Sequence, residues 1–308
     1  MSWMVKSAAI AALAMQSMAA SADVLDFGVA GQFNVFVFNN FTSSYSDVEG
    51  AVAVGGNFNV TGYSVNELNN AVAGNALVVA NNVTINGGSV KNGDIDVGGT
   101  HTTSNFGFTG NYTDSDPINF ANERLYLQNL STSLNALANT GTATYNYSGL
   151  QLTASNSTDA QIFDIDGSFF NSRNNTTFSG FSNGQTIILN ISGNGLTFNG
   201  GTGTDFSKYG FNVVYNFYQA TALNTGSGAT GTILAPDADI TGGFSAINGN
   251  VIANSWNTNT QVNVTGMFKP TDITGLVVTP VPEPETYGML LAGLAFVGLL
   301  ARRRQSLA

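Results

Sequence analysis

The chain has 308 residues, of which 9% are charged and 43% hydrophobic, with 36 Gly, 6 Pro, no Cys and one His. Gly, Asn (38), Thr (32) and Ser (26) together fill 132 positions. This composition excludes disulfide staples, thiolate chemistry and a multi-His zinc site, and a net charge of −10 excludes the basic face that nucleic acid requires.

In chain order, residues 1–22 read as a secretory signal peptide. Lys6 supplies the positive start, 8–20 is apolar but too short to span a bilayer, and Ala20-Ser21-Ala22 is an A-x-A cleavage site, so the mature chain is expected to begin at Asp23. The 21 Phe and 10 Tyr demand burial, and disorder is not expected beyond it. Short apolar runs follow at 33–38, 51–54, 76–79 and 83–85, then at 185–191, 210–217, 232–235, 250–253 and 261–264. Four to seven β-branched or aromatic residues bounded by Gly and Asn predict strands. Asn-Gly at 86–87, 92–93, 183–184, 199–200 and 248–249 marks tight turns.

One long helix is predicted over 117–139. Asp116 suits the N-cap and Pro117 the first turn. Ile118, Ala121, Leu125, Leu127, Leu130, Leu134 and Leu137 recur at mostly three- and four-residue steps, and Gly141 offers a stop. The leucine stripe is expected to pack on a sheet. The fold class is therefore mainly β: a β-solenoid of short strands with one long amphipathic helix alongside, a β-sandwich being the alternative.

The C-terminal end has three parts: Pro282-Glu283-Pro284, an uncharged apolar run over 287–301, and Arg302-Arg303-Arg304. With its flanks the run can cross a bilayer, with the arginines on the cytoplasmic side. VPEPETYGMLLAGLAFVGLLARRR resembles the PEP-CTERM sorting signal. That resemblance implies export by a Gram-negative bacterium, a transient stay in the inner membrane, and processing near the PEP motif by an exosortase. The expected organisation is signal peptide 1–22, β domain 23–272, linker 273–281, sorting and transmembrane segment 282–304, and cytoplasmic tail 305–308.

A second resemblance covers residues 31–268. GQFNVFVF at 31–38, SDVEGAVAVGGN at 46–57, GTILAPDA at 231–238 and INGNVIA at 247–253 are similar to the opening and closing stretches of the choice-of-anchor A family of bacterial surface proteins. The order of strands, long helix and further strands is similar at fold level to the ice-binding-like adhesive domains.

Chemistry is sparse. Asp94/Asp96, Asp114/Asp116, Asp164/Asp166 and Asp237/Asp239 are i, i+2 pairs, which share one side of an extended chain. Asp94/Asp96 and Asp164/Asp166 are the better fragments for Ca²⁺, a cation that takes oxygen ligands, yet neither completes a calcium loop. Solvated turn and cap aspartates are the preferred reading, and no cofactor is expected. His101, the sole histidine, sits in Gly-Gly-Thr-His-Thr-Thr with no Gly-x-Ser-x-Gly elbow to serve, so a surface loop is its expected place. In Asn257-Thr-Asn-Thr-Gln-Val-Asn-Val264 a strand puts Thr258, Thr260, Val262 and Val264 on one face and Asn and Gln on the other. Such uncharged rows can hydrogen-bond polysaccharide hydroxyls or order water. The expected function is a non-enzymatic, exported surface or matrix protein, adhesin-like, binding polysaccharide or building biofilm matrix. The alternatives are an ice-binding protein and a glycan-acting hydrolase. The expected partners are the secretion machinery, the exosortase, the inner membrane in transit and extracellular polysaccharide, with no nucleic acid.

Overall fold

The computed structural model describes residues 22–115, 118–147, 149–155, 160–198 and 209–278. The Gly- and Asn-bounded runs are strands, as expected, and the protein is mainly β. Their turns are corners rather than hairpins. Each corner carries the chain on to a different parallel ladder, and positive φ at Gly87 (80°), Asn92 (54°) and Gly184 (75°) lets it bend there. The expected turn at 199–200 lies outside the described residues.

The first ladder stacks ten strands, all parallel: Gln161–Ile165, Thr186–Ile191, Asn212–Asn216, Thr232–Gly242, Val251–Asn257, Val35–Val37, Val52–Val54, Asn75–Val79, Asp94–Val97 and Tyr112–Thr113. Its order shows how the chain closes on itself. The N-terminal half climbs away from Val35–Val37, and the C-terminal half descends from Gln161–Ile165 until Val251–Asn257 pairs with Val35–Val37. A second ladder runs through Leu196–Thr197, Ala222–Thr225, the ends of Thr232–Gly242 and Val251–Asn257, Phe41–Ser44, Phe58–Val65, Val83–Val90 and His101–Phe108. A third joins Ala229–Thr230, Ala246–Asn248, Gln261–Asn263, Asp47–Val48 and the later parts of Phe58–Val65, Val83–Val90 and His101–Phe108.

The middle strands of the first ladder are buried on both sides, which is why they read as unbroken apolar runs, while its end strand Tyr112–Thr113 is not buried. Val35, Val52, Leu77, Ile187, Val213, Ile233 and Val251 face one cluster, between the ladders. Phe36, Ala53, Val78, Ile188, Val214, Leu234 and Ile252 face a second, shared with the helix α1 (Phe120–Asn135). Helix α1 contributes Leu127, Leu130 and Leu134, each 0% exposed.

Helix α1 is shorter than the sequence predicts. Asp116 and Pro117 lie outside the described residues, and the cap is Asn119, whose Oδ1 accepts from the Asn122 N–H at 3.0 Å. At the other end, Asn139 Oδ1 accepts from Asp164 N–H and the Thr140 N–H donates to Ile162 O, so these residues bridge to a strand instead of extending the helix. The stripe is also narrower, because Leu125 points to solvent at 51% exposure. A second, short helix α2 (Gly167–Ser172) and a three-stranded sheet (Thr142–Asn146, Gly149–Thr153, Asn175–Ser179) lie beside the far end of the stack.

Strand Ala22–Leu25 pairs antiparallel with Thr271–Thr274. The expected linker start at residue 273 therefore falls inside a strand, because Ile273 (1% exposed) and Leu276 (0%) are core residues.

Candidate ligand-facing surface

The second ladder has one face inside the protein and one outside, and the period of two sorts its residues. Phe41, Phe58, Val83, Ile240 and Trp256 point inward. The outward positions align across the ladder as Thr197, Asn224, Thr241, Asn257, Thr42, Asn59, Thr84 and Thr102. Six of the eight, from Thr241 to Thr102, are exposed. Neighbouring strands lie about 4.8 Å apart, so this is a straight row of amides and hydroxyls at that repeat.

A parallel column runs along one edge of the row. Asn40 Oδ1 accepts from the Asn57 N–H at 2.9 Å, Asn57 Oδ1 from the Asn82 N–H at 3.2 Å, and Asn82 Oδ1 from the Thr100 N–H at 2.9 Å. Each amide is locked by the backbone of the next strand, so the surface is ordered before any ligand arrives. Its carboxylate is Asp239, which accepts from Asn254 Nδ2 (2.7 Å) and Ser255 Oγ (2.6 Å).

The sequence expects one alternating strand over 257–264, but a strand ends at Asn257, residues 258–260 turn a corner, and Gln261–Asn263 is a separate strand. Thr258 (4% exposed), Thr260 (0%) and Val262 (0%) are inside. The two threonine hydroxyls lie 3.0 Å apart and join Thr225, Ser245 and the Gly243 carbonyl in a buried network. Threonines tied up in this way cannot order external water; Asn257 faces out instead. The true polar row escapes a linear reading because it takes one residue per strand, at separations of 17, 25 and 18 along the column.

The two candidate Ca²⁺ pairs are engaged locally, and Asp116 of a third pair lies outside the described residues. Asp94 Oδ1 accepts from the Asn111 N–H at 2.8 Å. Asp96, 1% exposed, accepts from Thr113 Oγ1 (2.8 Å) and from Ser115. Asp164 Oδ1 accepts from Asn190 Nδ2 at 3.3 Å. Asp166 caps α2, and its bonds from Ser168 hold its carboxyl below the usual range. Among the described residues no three His, Cys, Asp or Glu side chains converge as a metal cage. His101 stacks on Tyr112, centroids 3.8 Å apart, on the outermost strand of the ladder.

The third ladder is the acidic one. Asp47, Glu49 and Glu67 share it with Lys91, which pairs with Glu67 at 2.8 Å. Burial, then the charges of Glu67 and Glu49, push the Asp47 carboxyl up.

The sorting residues Pro282, Glu283, Pro284, Arg302, Arg303 and Arg304, the run 287–301 and cleavage residue Ala20 lie outside the described residues, while Ala22 opens the first strand. No described helix is long and apolar enough to cross a membrane.

Comparison with protein families matches residues 26–264 to an ice-binding-like adhesive domain. The chain belongs to that family. A second match, to the PEP-CTERM protein-sorting motif, covers residues 280–305. The adhesive domain is thus carried by an exported protein that transits the membrane to the cell surface or extracellular space, with exosortase as its processing partner. Its general character is that of a surface-exported, adhesin-like protein. No curated protein matches the chain, and no solved structure does.

Proposed function

We propose that the protein is a non-enzymatic adhesin of a Gram-negative bacterium that holds extracellular polysaccharide on the outward face of its second ladder. The observation that carries this reading is the uncharged row from Thr241 to Thr102, an ordered array of donors and acceptors in a chain of net charge −10. The three ladders, visited in turn, support a β-solenoid, a shape that gives such a row its length. The PEP-CTERM match supports a transient inner-membrane intermediate and release or anchoring outside. The resemblance to choice-of-anchor A proteins fits the same reading.

The test is a glycan array probed with the full chain, beside a turnover assay on the glycans bound. Binding without turnover supports the adhesin. Turnover lost on changing one carboxylate makes the protein a hydrolase and overturns it. The regular repeat of the Thr/Asn row also favours a second reading, the ordering of water on an ice surface. Inhibition of ice recrystallisation that is lost in Thr84→Lys is the result that selects it.

A further inference from the structure

Beside the polar row, the chain turns from the second ladder to the third, and two large aromatic side chains stand in that column of corners. Phe244, between Thr232–Gly242 and Ala246–Asn248, is 76% exposed, and Tyr45, between Phe41–Ser44 and Asp47–Val48, is 74% exposed. Thr241 aligns with Asn257 and Asn257 with Thr42, so the two corners are two ladder steps apart, about 10 Å at ~4.8 Å per strand. The corner between them carries Asn259, whose Oδ1 accepts from Ser44 N–H (3.0 Å) and Oγ (3.2 Å).

The tyrosine is held there at a cost. Its φ is +52°, a region bulky side chains avoid, and such outliers cluster where a surface does work. The next two corners are Gly62 and Gly87, also at positive φ. A Cβ at Gly62 would come within 3.0 Å of the Tyr45 ring, so the missing side chain is what lets the ring lie flat along the corner. Rings at 74% and 76% exposure bury little apolar surface on folding. A ring face beside fixed amides and hydroxyls is the pairing that recognises a sugar, whose C–H face stacks while its hydroxyls hydrogen-bond. Charge narrows the class. Around the same corner lie Asp47 and Glu49, so a polyanionic chain is repelled.

We propose that an uncharged, extended polysaccharide lies along the stacking direction, with sugar rings on Tyr45 and Phe244 and its hydroxyls on the Thr42, Asn59 and Asn257 amides and hydroxyls. This rests on the polysaccharide-binding reading above and adds the ligand class, direction and anchoring rings. A chain advancing about one strand spacing per sugar puts two rings, two sugars apart, on the two aromatics.

The experiment is native affinity electrophoresis of the full chain in mild detergent. The probes are hydroxyethylcellulose, xylan and galactomannan as neutral chains, with alginate as a polyuronate. The expected result is retardation by a neutral polymer and not by alginate. Tyr45→Ala and Phe244→Ala should each weaken binding about ten-fold, while Tyr45→Phe binds as wild type and all melt normally. Neutral-polymer binding that survives the Tyr45→Ala/Phe244→Ala double variant overturns this placement and leaves the polysaccharide reading standing. Preference for alginate overturns the ligand class. Retardation by none of the four polymers overturns both.

Discussion

Asn216 and Asn190 stand side by side on adjacent strands and hydrogen-bond to one another, Nδ2 to Oδ1, at 2.9 Å. Each also donates upward to helix α1: Asn216 to the Ser131 carbonyl at 2.8 Å, Asn190 to the Leu134 carbonyl at 3.0 Å. Ser131 Oγ completes the set by donating to Asn216 Oδ1 at 2.6 Å. One step along the ladder thus corresponds to three residues of helix. The match is geometric, since three residues rise ~4.5 Å and strands lie ~4.8 Å apart. Further along, Phe120 packs on Phe36, ring centroids 5.1 Å apart, and Gln128 Nε2 donates to Asp237 Oδ1 at 2.7 Å. Helix α1 is therefore in register with the stack it covers.

Breaking that register strands buried polar atoms. Asn216→Ala leaves Ser131 Oγ and Asn190 Oδ1 without their partner, and it should cost about 1–3 kcal/mol in denaturant unfolding. Asn190→Ala should cost a similar amount. The double variant should cost less than the sum, because the two share a bond. Strict additivity would refute a coupled pair.

The leucine stripe should separate cleanly from its exposed neighbour. Leu130→Ala or Leu134→Ala, at 0% exposure, should cost roughly 2–5 kcal/mol. Leu125→Ala should stay within about 0.5 kcal/mol. Equal losses for Leu125 and Leu130 would mean the helix is turned differently on the sheet.

Gly88 has φ +90°, and a Cβ there would overlap the Tyr63 carbonyl oxygen and amide nitrogen. Gly88→Ala should thus destabilise by more than ~1 kcal/mol, since both backbone strain and overlap oppose it. A melting temperature within error of wild type would show that the ladders are looser there than the register implies.

The raised Asp47 carboxyl gives a pH signature. Its folded pKa lies above the unfolded value, so the folded state binds more protons between the two, and stability falls as pH rises through that window. Burial and the neighbouring Glu67 and Glu49 disfavour the ionised form. Asp47→Asn removes the effect while retaining an acceptor for Gln261 Nε2, now at 3.2 Å. Its melting temperature should gain on wild type as pH rises from about 4 towards 7. A gap that stays constant with pH would contradict the assignment.

Sorting can be tested apart from the fold. Pro282→Ala with Glu283→Ala should leave the protein unprocessed in the membrane, because a protease reads an exposed extended segment and Pro-Glu-Pro supplies one. Fractionation with immunoblotting measures this. Normal release of the wild type from cells lacking exosortase would overturn it.

Local patterns were legible along the linear chain. Short runs of Val, Ile and Phe between Gly and Asn specify strands because both properties act within a few residues. The leucine spacing at 127, 130 and 134 specifies a helix for the same reason, and the PEP triplet, apolar run and arginines sit together in one stretch. Which residues meet was settled by the folded arrangement. That Val35–Val37 pairs with Val251–Asn257, some 215 residues away, depends on the whole chain folding back along α1. The strand break within 257–264 was equally open, since alternation does not mark where a strand ends: residues 258–260 turn a corner, and Thr258 and Thr260 went in because that corner gave their hydroxyls buried partners. The candidate surface was hidden for the same reason. Thr42, Asn59, Thr84 and Thr102 form one row only through strand register, and register is a property of neighbours in space, at intervals too uneven to leave a period in the sequence.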